Sequence, residues 1–198
     1  MNAAAAIVIA YLLGSIPFAY LAGRAKGIDL RTVGSGNLGA ANVFRTLGRS
    51  MGIAVMAADI GKGAAAVLVA KALTGAPWPA VAAGAAMAGH IFPVWLRFKG
   101  GKGVAVGGGA LIALMPLAAA ILVGTWAVIV LTTRYTSVAS MTGAALAVPV
   151  AWVLGYPWSS IVFVAVAAVA VLALHRGNLM RLVRGQELRI DLWRARRA

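Results

Sequence analysis

Most of the chemistry open to this chain sits in three short segments rich in glycine and asparagine. The first is Gly34-Ser35-Gly36-Asn37-Leu38-Gly39-Ala40-Ala41-Asn42-Val43-Phe44-Arg45. Its Gly-Ser-Gly-Asn start frees the backbone to curl and present N–H groups to an anion. Ser35, Asn37 and Asn42 add neutral donors, and Arg45 can grip a phosphate through two parallel hydrogen bonds. A re-entrant or interfacial loop with Arg45 at the lipid head groups would use the same residues. The second segment is Lys99-Gly100-Gly101-Lys102-Gly103, preceded by Arg97. Its glycines permit close approach, the helix predicted to follow offers free N–H groups, and Lys102 adds charge. It is not a Walker A loop, because no Ser or Thr follows the lysine and the spacer is missing. An ordinary basic loop between spans is the alternative. The third segment is His175-Arg176-Gly177-Asn178-Leu179. Continued as helix, it puts His175 and Asn178 on one face. Histidine there can exchange a proton near neutral pH or orient a phosphate oxygen, and it can also be a simple polar cap at the interface.

Weaker candidates surround these. Ser137 and Ser140 follow Arg134-Tyr135 at another helix start, where they could cap the helix or add donors to a site. Asp59 and Lys62 stand one turn apart within an apolar span. Such a pair is either functional or a self-neutralising structural ion pair. His90 reads as packing or as a local helix hydrogen bond. Glu187 could pair with an arginine and pin the C-terminal tail.

The elements that must position these residues follow from composition. Of 198 residues, 62% are hydrophobic and 11% charged. Soluble domains carry roughly 45–50% apolar and about 25% charged residues, so a water-soluble globule and a disordered chain are both excluded. Cysteine is absent, which removes disulfides, thiol nucleophiles and Cys-based metal sites. No cluster of carboxylates or histidines points to another metal site. The net charge of +14 would suggest nucleic acid in a soluble protein. With this apolar content it points to membrane orientation and anionic substrates instead. The apolar stretch from Ala3 to Gly23 has no basic residue before it, unlike a cleavable signal peptide.

Nearly uncharged runs cover 3–23, 50–74, 76–96, 103–133, 135–156 and 157–174. As one helix, 103–133 would be about 46 Å long against a hydrocarbon core of ~30 Å. Pro116 lies near its middle, so two short spans are predicted there. Seven spans then place every Lys and Arg except Lys62 and Lys71 on one side, which the positive-inside rule makes cytoplasmic. The expected fold is all-α: a compact bundle of seven transmembrane helices in a single domain, 1–198. The N-terminus is expected outside and the C-terminus inside, with the tail from Arg176 to Ala198 available to anionic lipid. Frequent Gly and Ala in the spans allow close helix packing.

Taken together, Gly34–Arg45, Lys99–Gly103, His175–Asn178 with Glu187, and Arg-Tyr-x-Ser-x-x-Ser at 134–140 resemble the signature segments of one family. It is the bacterial acyl-phosphate:glycerol-3-phosphate acyltransferases, the PlsY family of integral membrane enzymes. The resemblance covers nearly the whole chain. It departs at Gly177, where the family often carries an acidic residue. The resemblance implies transfer of an acyl group from acyl phosphate to the 1-hydroxyl of sn-glycerol 3-phosphate, giving lysophosphatidic acid and phosphate at the bacterial inner membrane. This is the first acylation of phospholipid synthesis. It implies no cofactor, no metal and no nucleic-acid partner, membrane lipid as surroundings, and function as a monomer. Ser35, His175 and Asn178 are implied as catalytic. Gly34, Gly36, Asn37, Asn42, Arg45, Gly100, Gly101, Lys102, Gly103 and Ser140 are implied to bind substrate, with the 100–103 glycines holding glycerol 3-phosphate.

An acyl phosphate is already activated, so positioning and charge stabilisation carry most of the catalysis. Direct attack by the acceptor hydroxyl is the preferred route, and a Ser35 acyl-enzyme with His175 as base is the rival. Neither His90 nor His175 has Asp five residues on, which excludes the acyl-CoA-dependent His-x-x-x-x-Asp pattern. Gly34 and Gly36 flank Ser35 directly, unlike a hydrolase elbow. A phosphate or organophosphate transporter is the alternative function. It would need polar groups through the depth of the bundle, and here they gather mostly on one side, with Asp59 and Lys62 the only charged pair expected to be buried.

Overall fold

The structure, a computed structural model, describes residues 2–191. The end of the basic tail, with Arg194, Arg196 and Arg197, lies outside the described residues, as does its expected lipid contact. Among the described residues all regular structure is helical. The helices are α1 (Ala3–Ser15), α2 (Phe18–Ala25), α3 (Ala40–Leu47), α4 (Arg49–Leu73), α5 (Trp78–Ile91), α6 (Val104–Leu114), α7 (Pro116–Thr133), α8 (Thr136–Val153), α9 (Trp158–Leu174) and α10 (Arg176–Val183). A single 3₁₀ turn, Val94–Leu96, follows α5.

Local chemistry explains the breaks. Asn2 caps α1 by accepting the Ala5 N–H at 3.0 Å. Pro17 cannot donate into a helix, and α1 gives way to α2 there. The predicted break of 103–133 is present: α6 ends at Leu114, and Pro116 takes the first position of α7, where its missing N–H costs nothing. Among the described residues, five segments are long and apolar enough to cross a bilayer: Ala3–Ala25, Arg49–Leu73, Trp78–Leu96, Pro116–Thr133 and Thr136–Val153. A sixth pairs Trp158–Leu174 with α10 across a 50° bend. The apolar helix α6, with 11 residues, is about 16 Å long and reaches only about half the hydrocarbon depth.

Small residues set the helix spacing. A Cβ on Gly109 of α6 would lie 1.9 Å from the Ile60 carbonyl oxygen of α4, and one on Gly63 of α4 would lie 2.1 Å from the Val106 carbonyl oxygen. The two helices therefore touch backbone to backbone. Gly14 of α1 and Gly89 of α5 do the same at a second crossing. Gly109→Ala is expected to destabilise by about 2 kcal/mol or more, because the intruding methyl meets backbone that cannot yield. A thermal melt should show this against Gly124→Ala, whose methyl meets nothing within 4 Å.

An apolar core of Val67, Met115, Ala118, Leu122, Ala151, Phe163 and Val164 holds one end of the bundle. At the other end lie the starts of α4, α6 and α8 and the finishes of α5, α7 and α9. All three polar segments of the sequence join helices at that end.

Candidate active site

The polar end opens into a cavity of about 590 Å³. Ser35, Asn37, Asn42, Arg45, Lys102, Gly103, Ser140, His175 and Asn178 all line it. The three segments that the sequence singled out thus converge. Gly34, Gly36, Gly100 and Gly101 stand behind the lining and shape the loops.

The first loop is built around Asn42, which is buried. Its side-chain oxygen accepts the Ser35 N–H at 3.0 Å, and its amide donates to the Leu30 and Val33 carbonyls, each at 3.1 Å. Asn42 therefore ties the loop to itself rather than offering a free donor. Gly34 and Gly36 take left-handed backbone at φ +61° and +68°, which favours glycine over other residues. A Cβ on Gly34 would also lie 2.2 Å from the Asn42 side-chain oxygen. Ser35 is left at the cavity wall with its hydroxyl available.

Arg45 reaches across to the C-terminal segment. Its guanidinium donates to the Leu188 carbonyl at 3.1 Å, to the Arg189 carbonyl at 3.4 Å and, at 3.5 Å, to the Thr136 hydroxyl. Burial pulls its pKa down, opposed by Glu187. The segment that holds it is itself anchored. Ile190 is buried against Val130 and Ala139, its N–H donates to the Arg134 carbonyl at 2.9 Å, and the Arg189 guanidinium covers the Tyr135 ring at 4.9 Å.

Lys102 donates to the Asn178 side-chain oxygen, and Asn178 donates in turn to Glu187 Oε1 at 2.6 Å. Arg181 closes the chain, its Nε 2.8 Å from Glu187 Oε2. The expected arginine partner of Glu187 is thus Arg181. Burial works to raise the Glu187 carboxyl, but the hydrogen bonds from Asn178 and Arg181 outweigh it and hold the group below its ordinary value. Lys102 is half-buried, and that burial, with Arg181 and Arg45 nearby, pushes its pKa down to about 8.

His175 stands at the bend between α9 and α10, so it and Asn178 meet the cavity from either side of a corner rather than from one continuous helix face. Its Nδ1 lies 2.8 Å from the Val171 carbonyl. A carbonyl only accepts, so Nδ1 carries the proton and Nε2 is a free acceptor. Ser140 donates to the Thr136 carbonyl at 2.8 Å and accepts from the Trp126 indole at 3.3 Å.

Away from the polar groups the cavity is apolar. Phe163, Val164, Ala167, Ala168 and Val171 line it along one face of α9. From Phe163 to His175 is about 18 Å of helix at ~1.5 Å per residue. Ile53, Met56 and Ile60 of α4, Leu111 and Ile112 of α6, and Leu122 and Trp126 of α7 extend the wall, which Asp59 of α4 and His90 of α5 also reach. Glycines leave the space: Gly108 and Gly143 line the cavity, and a Cβ on either meets nothing within 4 Å. A site of this form holds a molecule with an anionic head and a long apolar tail. Sequence reasoning missed the apolar half, Thr136, and the 188–190 segment. None of them carries a polar motif, and the groups that hold Arg45 are mostly backbone carbonyls.

Known proteins resemble the chain throughout. A family model described as glycerol-3-phosphate acyltransferase matches residues 4–185. The glycerol-3-phosphate acyltransferase of Rubrobacter xylanophilus is 45% identical over 183 residues, spanning 91% of this chain and 92% of that one. The Agrobacterium fabrum protein of the same name is 46% identical over 189 residues, spanning 94% and 91%. Two crystal structures of PlsY (YgiH), an integral membrane glycerol 3-phosphate acyltransferase, superpose closely. Its glycerol 3-phosphate form gives a TM-score of 0.92 at 38% identity, over 96% of each chain. Its lysophosphatidic acid form gives 0.88 at 37%, over 96% and 95%.

Proposed function

Because the chain belongs to the glycerol-3-phosphate acyltransferase family and is an integral membrane enzyme, we propose that it takes its acyl group from an acyl phosphate and releases 1-acyl-sn-glycerol 3-phosphate and phosphate. The observation that carries this reading is the two-part cavity, with cationic and amide groups at one end and about 18 Å of apolar wall below them. The donor has that form, a phosphate head on a long chain. The acceptor is a small anion that needs only the polar end. The solved relative with glycerol 3-phosphate and with lysophosphatidic acid supports the same substrate and product here.

Lys102 and Arg45 hold phosphate oxygens, and Ser35 and Asn37 add neutral donors. His175 presents Nε2 to glycerol 3-phosphate and orients the acceptor by accepting a hydrogen bond from its 2-hydroxyl, leaving the 1-hydroxyl proton directed at the donor phosphate. The hydroxyl oxygen attacks the acyl carbonyl carbon, forming the ester bond as the acyl–oxygen bond to phosphate breaks. Lys102 and Arg45 stabilise the charge that develops. The hydroxyl proton passes to the departing phosphate, whose oxygen gains negative charge as the acyl–oxygen bond breaks. The donor is already activated and needs positioning more than a protein nucleophile, which favours direct transfer over a Ser35 acyl-enzyme. The polar end is read as facing the cytoplasm of a bacterial inner membrane, since nearly all cations gather there. The enzyme is read as acting as a monomer, because one chain lines the whole cavity.

The test supplies palmitoyl phosphate and sn-glycerol 3-phosphate to purified protein in a lipid mesophase and follows phosphate release. Release that requires both substrates supports the reading. No release from folded protein overturns it and favours transport of a phosphate compound. The pH profile gives a further check. Lys102 is charged below about 8 and loses its proton above it, so kcat/KM for glycerol 3-phosphate should hold steady up to pH 8 and fall towards tenfold per unit beyond. In Lys102→Arg that fall should move to higher pH.

A further inference from the structure

Beneath the site lies a charged group that the proposed reaction does not use. Asp59 and Lys62 of α4 are buried among apolar helices, 1% and 5% exposed, with Lys62 Nζ 2.7 Å from Asp59 Oδ1. His90 of α5, read from sequence as packing or a local helix bond, instead joins them: its Nδ1 lies 3.1 Å from Lys62 Nζ and 3.6 Å from Asp59 Oδ1. Lys62 also donates to the Ile16 carbonyl at 2.7 Å, and its ammonium lies 5.5 Å from the centre of the Phe18 ring. Ile16 precedes Pro17 at the break between α1 and α2, and its carbonyl also accepts the Phe18 N–H at 3.2 Å. Lys62 thus hydrogen-bonds to the Ile16 carbonyl and to the His90 ring, and its charge is balanced by the Asp59 carboxylate.

This arrangement fixes the histidine. An ammonium can only donate, so His90 Nδ1 accepts and the ring proton resides on Nε2. That nitrogen faces the Lys99–Gly103 loop, where a Cβ on Gly101 would lie 2.2 Å from it. The loop is also tied to the end of α5 through its backbone. Gly101 N–H donates to the His90 carbonyl at 3.1 Å, and Gly100 N–H donates to the Ile91 carbonyl at 3.0 Å. The same Gly101 Cβ would lie 2.8 Å from the Leu38 carbonyl oxygen of the first loop. The two glycine loops therefore meet over His90, and Lys102 is the next residue along.

We propose that Asp59, Lys62 and His90 are positioning residues for the glycerol 3-phosphate half of the site. They hold the Lys99–Gly103 loop against the first loop and so set where Lys102 stands. The inference rests on the substrate reading above and adds three residues to it, of which Asp59 and His90 reach the wall of the same cavity and Lys62 stands behind them. Removing one charge alone leaves its partner buried and uncompensated, so single variants confuse folding with function. A double variant, Asp59→Asn with Lys62→Met, removes both charges at once.

The experiment measures steady-state kinetics for both substrates, with thermal unfolding, on the purified double variant. The expected result is folded protein whose KM for glycerol 3-phosphate rises at least tenfold. The KM for palmitoyl phosphate should stay within about threefold, and kcat should change less than the first KM. Stabilisation of the variant by glycerol 3-phosphate in the melt should weaken in parallel. An unchanged KM for glycerol 3-phosphate overturns the proposal, as does an equal loss for both substrates. If the double variant does not accumulate as folded protein, Gly101→Ala disturbs the same contact from the loop side and must raise the same KM. A wild-type protein that releases no phosphate would instead sink the substrate reading, so the two failures are distinguishable.

Discussion

Lys102→Met is expected to lower kcat/KM for glycerol 3-phosphate by at least about 100-fold and leave the protein folded. Lys102 is half-buried, donates to Asn178, and lies in the cavity where the phosphate is read to bind. Truncating one partner of a buried charged hydrogen bond costs about 2–5 kcal/mol, which is roughly 30-fold to several thousand-fold. Methionine keeps the length and the apolar stem but removes the charge. The loop should survive, because Gly100 and Gly101 are held by the end of α5 and not by the ammonium. Phosphate-release kinetics at pH 7 check the effect, and a thermal melt checks the fold. A loss below tenfold would remove Lys102 from the phosphate site.

The second large effect concerns the acyl chain. Gly108 lines the cavity on α6, about 7 Å along the helix from Gly103, and a Cβ there meets nothing within 4 Å. Gly108→Phe therefore fills space that an acyl chain would occupy, without striking protein. Excluding three methylenes from burial at ~0.8 kcal/mol each costs about 2.4 kcal/mol, or roughly 60-fold. The expected result is that kcat/KM for palmitoyl phosphate falls about 60-fold, with butanoyl phosphate, whose chain is too short to reach Gly108, changed less than fivefold. Gly124→Phe serves as the control, because Gly124 also has free space around it and lies outside the cavity lining. Equal effects on both chain lengths would mean that the acyl chain does not pass Gly108.

The sequence was informative wherever function depends on local chemistry. Apolar content alone identified a membrane protein, because hydration energy depends on residue type and not on partners. Pro116 marked the division of 103–133, because a missing N–H breaks a helix in any surroundings. The three polar segments could be expected to meet, since they join successive spans at one membrane face. Glu187 could be assigned an arginine partner, though only the structure chose Arg181.

The tertiary structure decided everything that depends on which helices touch. Asn42 reads as a substrate donor in its segment, but it ties the first loop to the Leu30 and Val33 carbonyls. Arg45 is held by the carbonyls of Leu188 and Arg189, groups that every residue carries and no pattern marks. His90 looks isolated until α4 brings Lys62 against it. The glycines make the division sharpest. Gly109 lets α6 press against α4, while its neighbour Gly108 leaves room in the cavity. The residue type is the same at both positions. A missing side chain records only that space was needed, and the packing of the other helices decides whether backbone or substrate fills it.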